Sequence, residues 1–209
     1  NNDGNFNDGI DGFRCDAAKE IPHTFWNRFR KEIKSINKDI LLLGEVWDNP
    51  NFLIPFFKEE FDMLFDYPLY YALERFSQSN DINSVIKTIQ EQREIFPVGF
   101  QMTRFISNHD NDRPVTKFGS IEKLKQILAI LFTLPGTPMI YYGDELGFEG
   151  KLPPENVRQD FDWDKMIADK NDSSSLFNFY RKLIKIRRDN KELSLRDDRE
   201  KRTVFFAKS

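Results

Sequence analysis

An α/β fold with a parallel sheet is predicted for this 209-residue chain by three features of its patterning. Short apolar runs alternate with stretches of helical spacing, as repeated β/α units require. The run Ile40 to Gly44 has no polar residue at all, which suits a strand covered on both faces. Three runs stop at a carboxylate: Gly12-Phe13-Arg14-Cys15 at Asp16, Leu43-Gly44 at Glu45, and Phe105-Ile106-Ser107-Asn108-His109 at Asp110. The C-terminal ends of parallel strands are where β/α barrels place their catalytic groups.

The first strand is read at Ile10 to Arg14. Phe25, Phe29 and Ile33 then recur at helical spacing, widened by Trp26, with Pro22 near the helix start. Ile40 to Gly44 is the second strand and Phe61 to Phe65 a short third. Helical stretches follow around Leu69 to Phe76 and Ile82 to Glu94. Gln101 to Ser107 is the fourth strand, Ile121 to Thr133 a helix closed by Pro135-Gly136, and Pro138 to Tyr142 the fifth strand. A polar loop with Pro153-Pro154 leads to an amphipathic helix from about Ser174 to Arg187. The charged run Arg196 to Arg202 reads as a solvated turn, and Thr203 to Ala207 as one further strand.

Five units fall short of an eight-stranded barrel, which typically takes about 250 residues. The first strand starts almost at residue 1 with no helix before it. The chain therefore reads as part of a (β/α)8 TIM barrel, strands 4 to 8. Residues 1–190 would be the C-terminal part of that barrel, and 191–209 the start of a C-terminal β-sandwich domain.

Lys and Arg total 31 against 34 Asp and Glu, a net charge of -3 without the basic patch of a nucleic-acid binder. The aliphatic runs are too short to span a bilayer. No signal peptide is visible from Asn1, and secreted and cytoplasmic locations both stay open. The single cysteine makes no internal disulfide. With 21 Phe, 3 Trp and 6 Tyr, the chain has aromatic surface for both a core and sugar stacking.

Three acids at strand ends, on successive β/α units, suggest glycosidic-bond chemistry. Strand alternation turns Gly12, Arg14 and Asp16 one way and Phe13 and Cys15 the other. A guanidinium beside Asp16 favours its ionised form, which a nucleophile needs. Taken alone, the pair reads equally well as an ion pair that holds the strand end. Glu45 follows an apolar run and precedes Val46 and Trp47. Apolar surroundings raise a carboxyl pKa and suit a general acid, although a strand-end Glu can also simply bond backbone amides. Asn108, His109 and Asp110 fit sugar hydroxyls better than a metal, because His23 is the only other histidine. There is no G-x-S-x-G elbow, and Cys15 reads as a small core residue.

Phe-Arg-x-Asp, Gly-Glu-Val-Trp and Ser-Asn-His-Asp, in that order, resemble three motifs of the α-amylase family, glycoside hydrolase family 13. Similarity runs from about Ile10 to Arg187 and includes Leu134 to Glu145, which resembles the family's last barrel strand. Pro154-Glu155-Asn156-Val157-Arg158, followed by Trp163, is similar to a segment of bacterial amylases and α-glucosidases. The resemblance implies retaining hydrolysis of α-glucosidic bonds in starch-like α-glucans or malto-oligosaccharides. It implies Asp16 as nucleophile, Glu45 as acid/base and Asp110 as transition-state stabiliser. By the same resemblance Arg14 orients Asp16, His109 binds the sugar being cleaved, and Lys19 contacts the sugar on the leaving-group side.

No cofactor is implied for the chemistry, while the family leaves room for a structural calcium in a full-length protein. Glu20 stands where many α-amylases carry His, which changes a substrate contact. Asp3 to Asp8 only faintly resembles a calcium loop, lacking its sixth-position glycine and twelfth-position glutamate. Oligo-α-glucosidases, cyclomaltodextrinases and trehalose-converting transglycosylases share the three acids. A non-catalytic relative kept for carbohydrate binding or interaction would more naturally have lost one.

Overall fold

The computed structural model describes residues 9–193. Five strands form one parallel sheet in sequence order: β1 (Gly12–Cys15), β2 (Leu41–Gly44), β3 (Met63–Phe65), β4 (Met102–Arg104) and β5 (Thr137–Pro138). The helices are α1 (His23–Ile36), α2 (Pro50–Leu53), α3 (Tyr67–Ser79), α4 (Asn83–Ile95), α5 (Pro114–Phe118), α6 (Ile121–Thr133), α7 (Trp163–Asn171) and α8 (Leu176–Asp189). The expected α/β class and parallel sheet are thus present. The charged run at 196–202, the strand expected at Thr203 to Ala207 and the loop Asp3 to Asp8 lie outside the described residues.

Alternation along the strands sorts the side chains as the sequence requires. Cys15, Leu42 and Leu64 pack with Trp26, Phe61, Phe96 and Met102 beneath the helices, joined by Phe13 and Phe29. A second helix-side core gathers Leu69, Leu73, Ile89, Leu124, Ile127, Leu128, Leu131 and Leu183 from α3, α4, α6 and α8. On the other face of the sheet Leu43, Phe65, Phe105 and Met139 meet Tyr67 and Tyr70. Residues of odd number on β1 and β2 therefore part company: Phe13 goes to the helices, whereas Leu43 goes to the opposite face with Arg14.

The register pairs Cys15 with Gly44, so Asp16 and Glu45 leave neighbouring strands at the same level. The ladder continues one step past β2, with the Glu45 amide donating to the Cys15 carbonyl at 3.0 Å. A side chain at Gly44 would force its neighbours to move, since a Cβ would sit 2.8 Å from the Phe61 ring. β3 intervenes between the second and third acids, so they are not on successive units as expected. Its end carries Asp66, which is fully buried and structural. Asp66 caps α3 by accepting from the Leu69 amide, accepts from the Gln92 side chain at 2.6 Å, and pairs with Arg104.

Further expectations are corrected. The fourth strand, expected at Gln101 to Ser107, is only Met102–Arg104, which leaves Asp110 in the loop beyond it. The fifth strand lies at Thr137–Pro138 rather than Pro138 to Tyr142. One further ladder bond, Met139 amide to Arg104 carbonyl, is followed by a turn in which Gly143 adopts φ 85°. The polar stretch after Pro153-Pro154 contains α7, whose start Asp162 caps by accepting from the Lys165 amide at 2.8 Å. No residue of α7 is buried, and Trp163, Met166 and Ile167, though at helical spacing, cover little more than one turn, too short a pattern to mark a helix. α2 and α5, of 4 and 5 residues, are shorter than the window in which periodicity can be read.

Candidate active site

β1 and the turn after it deliver Arg14 and Asp16. The two groups of the Arg14 guanidinium take different carboxylates: Nη1 bonds Asp16, and Nη2 lies 2.7 Å from Glu45 Oε1. Arg14 is therefore shared between the first two acids, where the sequence assigns it to Asp16 alone. The Asp16 side chain is 76% exposed and that of Glu45 only 6%. Arg14 holds the Asp16 carboxyl below the usual carboxylate range, by its hydrogen bond first and its charge second. Glu45 and, weakly, His109 act on Asp16 in the same direction.

Ala17, next in the chain, has φ 44° and ψ 41°, a left-handed conformation that a residue with a Cβ seldom adopts. That turn aims its amide at Glu45 Oε2, 3.2 Å away, while the Ala18 amide bonds the Glu45 carbonyl at 2.8 Å. Backbone strain of this kind, about 1–3 kcal/mol per residue, collects at functional sites.

The setting of Glu45 differs from the expected apolar one. Besides Arg14 and the Ala17 amide, the Tyr67 hydroxyl donates to Oε1 at 3.1 Å. A sequence window around Glu45 shows only Leu, Gly, Val and Trp, because all three donors come from elsewhere in the chain. Burial pushes the Tyr67 hydroxyl pKa well up, and the neighbouring Glu45 adds to the shift. Cys15 is buried as expected, and burial pushes its thiol up.

The third acid is tied to the first two through α3. Asn108 Nδ2 lies 3.5 Å from the Tyr67 hydroxyl oxygen, and its Oδ1 accepts from the Asp110 amide at 2.9 Å. Asp110 itself lies between His109 Nε2, at 3.1 Å, and Arg158 Nη2, at 2.9 Å. Arg158 Nε also donates to the His109 carbonyl at 3.0 Å. Beneath this loop Ser107 bonds the buried Asp144, which Arg113 also pairs with at 3.0 Å. Burial raises the Asp144 carboxyl to about 7, against the pull of both partners. Lys19 stands apart from the cluster, with its ammonium 4.6 Å above the Trp47 ring and 3.2 Å from the Trp47 carbonyl.

Arg14, Asp16 and Glu45 are thus joined directly, whereas Asp110 is linked to them only through its backbone amide, Asn108 and Tyr67, with His109 and Arg158 on its carboxylate and Lys19 at the flank. Sequence reading gave no role to Tyr67, Arg158 or Arg113. Arg158 closes the family-like segment Pro154 to Arg158, but that segment does not show that it meets Asp110, 48 residues away, and nothing near Tyr67 points to Glu45, 22 residues away. Among the described residues no three His, Cys, Asp or Glu side chains converge as a metal cluster. A groove of about 650 Å³ on the outer side of α1, lined by Arg28, Lys31, Glu32 and Glu59 among others, takes in none of the three acids.

The α-amylase catalytic-domain model matches residues 5–170. A cyclomaltodextrinase of Thermoanaerobacter pseudethanolicus is 37% identical over 192 residues, which is 88% of this chain and 32% of the relative. Alpha-amylase 3 of Dictyoglomus thermophilum is 34% identical over 86% of this chain and 42% of its own length. Among solved structures, an α-amylase from H. orenii superposes with a TM-score of 0.82 at 30% identity, covering 90% of this chain and 45% of that one. The chain therefore spans less than half the length of each of these proteins. A catalytic-domain match over most of its residues, with relatives above 30% identity along nearly all of it, makes this chain a member of the α-amylase family.

Proposed function

We propose that this chain supplies the acid-bearing part of a retaining glycoside hydrolase that cleaves α-glucosidic bonds of starch-like α-glucans or malto-oligosaccharides. One observation carries the reading: a single guanidinium, that of Arg14, bonds both Asp16 and Glu45. Such bridging fits the carboxyl separation of retaining enzymes, about 5–5.5 Å, better than the roughly 6.5–9.5 Å that inversion needs for a water.

In the first step the ionised Asp16 attacks the anomeric carbon. The glycosidic bond breaks, its electron pair goes to the leaving oxygen, and Glu45 gives that oxygen a proton. In the second step Glu45, now a carboxylate, takes a proton from water as the water attacks the same carbon, releasing sugar and restoring Asp16. Asp110, held by Arg158, accepts from sugar hydroxyls, and His109 binds the sugar being cleaved. Lys19 contacts the leaving-group side. Protein carboxylates alone perform this chemistry.

Support for an α-glucan substrate comes from the relatives, which carry the names cyclomaltodextrinase, maltogenic alpha-amylase and neopullulanase. An oligo-α-glucosidase or a transglycosylase would use the same three acids, and loops outside them would decide between the specificities. A non-catalytic carbohydrate-binding role fits poorly with three acids all present, two of them bridged by one guanidinium. The proposal includes the domain reading: residues 1–190 as strands 4 to 8 of a (β/α)8 barrel and 191–209 as the start of a β domain. It leaves the compartment open and involves neither nucleic acid nor membrane. The test is stereochemical. Proton NMR of freshly cleaved α-glucan, using the full-length protein that contains this chain, should show the α-anomer before mutarotation. First appearance of the β-anomer would mean inversion and remove Asp16 from the covalent role.

A further inference from the structure

Resting on that reading, we infer that Tyr67 is a positioning residue that fixes which oxygen of Glu45 carries the catalytic proton. The two oxygens of Glu45 are unequal. Oε1 faces two donors, the Arg14 guanidinium at 2.7 Å and the Tyr67 hydroxyl at 3.1 Å, while Oε2 meets only the Ala17 amide at 3.2 Å. An oxygen that already accepts from a cation and a hydroxyl is the poorer site for a proton. When Glu45 is the acid, its proton therefore sits on Oε2, the oxygen left to meet the glycosidic bond. When Glu45 is the carboxylate, the same two donors keep its plane fixed for the return transfer.

Arg14 alone cannot enforce this, because its other nitrogen is committed to Asp16. Asp16 changes from carboxylate to neutral ester during the cycle, so the pull on Arg14 changes with it. Tyr67 does not share that fate. It is buried at the start of α3, with its ring edge-on to Phe105 at 5.0 Å and to Tyr70 at 6.2 Å. Asn108 approaches the hydroxyl oxygen at 3.5 Å, which leaves the hydroxyl proton to point at Glu45. The charged and titratable groups around Glu45 are Arg14 and Asp16 from β1 and the turn after it, and Tyr67 from α3.

The test is Tyr67→Phe in the full-length protein, assayed on two substrates that differ in their need for an acid. Cleavage of malto-oligosaccharides, whose leaving alcohol needs a proton, should lose about tenfold to hundredfold in kcat/KM, within the range general acid catalysis supplies. Cleavage of an aryl α-glucoside with an acidic phenol should change little. A donor to a carboxylate favours its charged form, so losing it should move the high-pH limb of kcat/KM upward. Ring-fluorinated tyrosine at the same position keeps the hydroxyl and should restore both readouts. Equal losses on the two substrates, or an unmoved high-pH limb, would overturn the inference. Glu45→Gln run in parallel separates the two readings. If it keeps full activity on malto-oligosaccharides, Glu45 itself is misassigned. If it loses that activity while Tyr67→Phe behaves as wild type, only the role of Tyr67 falls.

Discussion

Arg14 sets the direction in which the exposed acid's pKa moves. Asp16 has little burial to raise it, so the guanidinium dominates and lowers it further. Glu45, bonded to the same cation, differs by being buried and by having Tyr67 and a backbone amide as further partners. These differences predict distinct failures. Asp16→Asn in the full-length protein should abolish turnover of α-glucans, because an amide cannot form the glycosyl ester. Glu45→Gln should still release an acidic phenol from an aryl glucoside in one burst and then stall. Azide, which needs no general base, should relieve the stall and give a glycosyl azide. Near-normal starch hydrolysis by Asp16→Asn, or the absence of any azide effect on Glu45→Gln, would break the assignment.

Gly44 shows how the elements set the site. Its lack of a side chain lets the Phe61 ring close against β2 just before Glu45, with Leu64 of β3 beside it. Gly44→Ala should cost about 1–3 kcal/mol from overpacking, read as a lower denaturation midpoint. It should also lower turnover, because a shift of the strand moves the next residue, Glu45. An unchanged midpoint would show that Phe61 can swing aside at little cost. The same level of structure explains what was legible. Apolar runs at Leu41 to Gly44 and Met63 to Phe65 announce buried strands whatever surrounds them. The end of β5 does not, because Pro138 has no amide to donate and Gly143 turns the chain soon after. α8 is legible through its stripe of Leu176, Tyr180, Leu183 and Arg187. The last of these reaches the carbonyls of Phe132 and Leu134 at 2.8 Å, closing the end of α6.

At the scale of the whole molecule, the sheet among the described residues ends in two strands, β1 and β5, each paired on one side only. The unpaired edges of β1 and β5 invite association. If the barrel reading holds, residues 1–209 expressed alone should self-associate and show little hydrolysis. Co-expression with a segment carrying the remaining strands should restore soluble activity, as size-exclusion chromatography and starch assays would report. A monomeric, fully active 209-residue chain would contradict the domain reading. The sequence by itself determined the parallel α/β class, the sorting of side chains to two faces, and the placing of Asp16 and Glu45 at strand ends, whereas Asp110 lies in the loop beyond β4. Those depend on periodicity and on what stands next in the chain. Tertiary structure alone decided that Arg14 bridges two carboxylates, that Glu45 sits among donors rather than apolar groups, and that Tyr67 and Arg158 belong to the site. These contacts join residues up to 49 positions apart, and only the register of the strands and the packing of α3 and the loop after β5 bring them together.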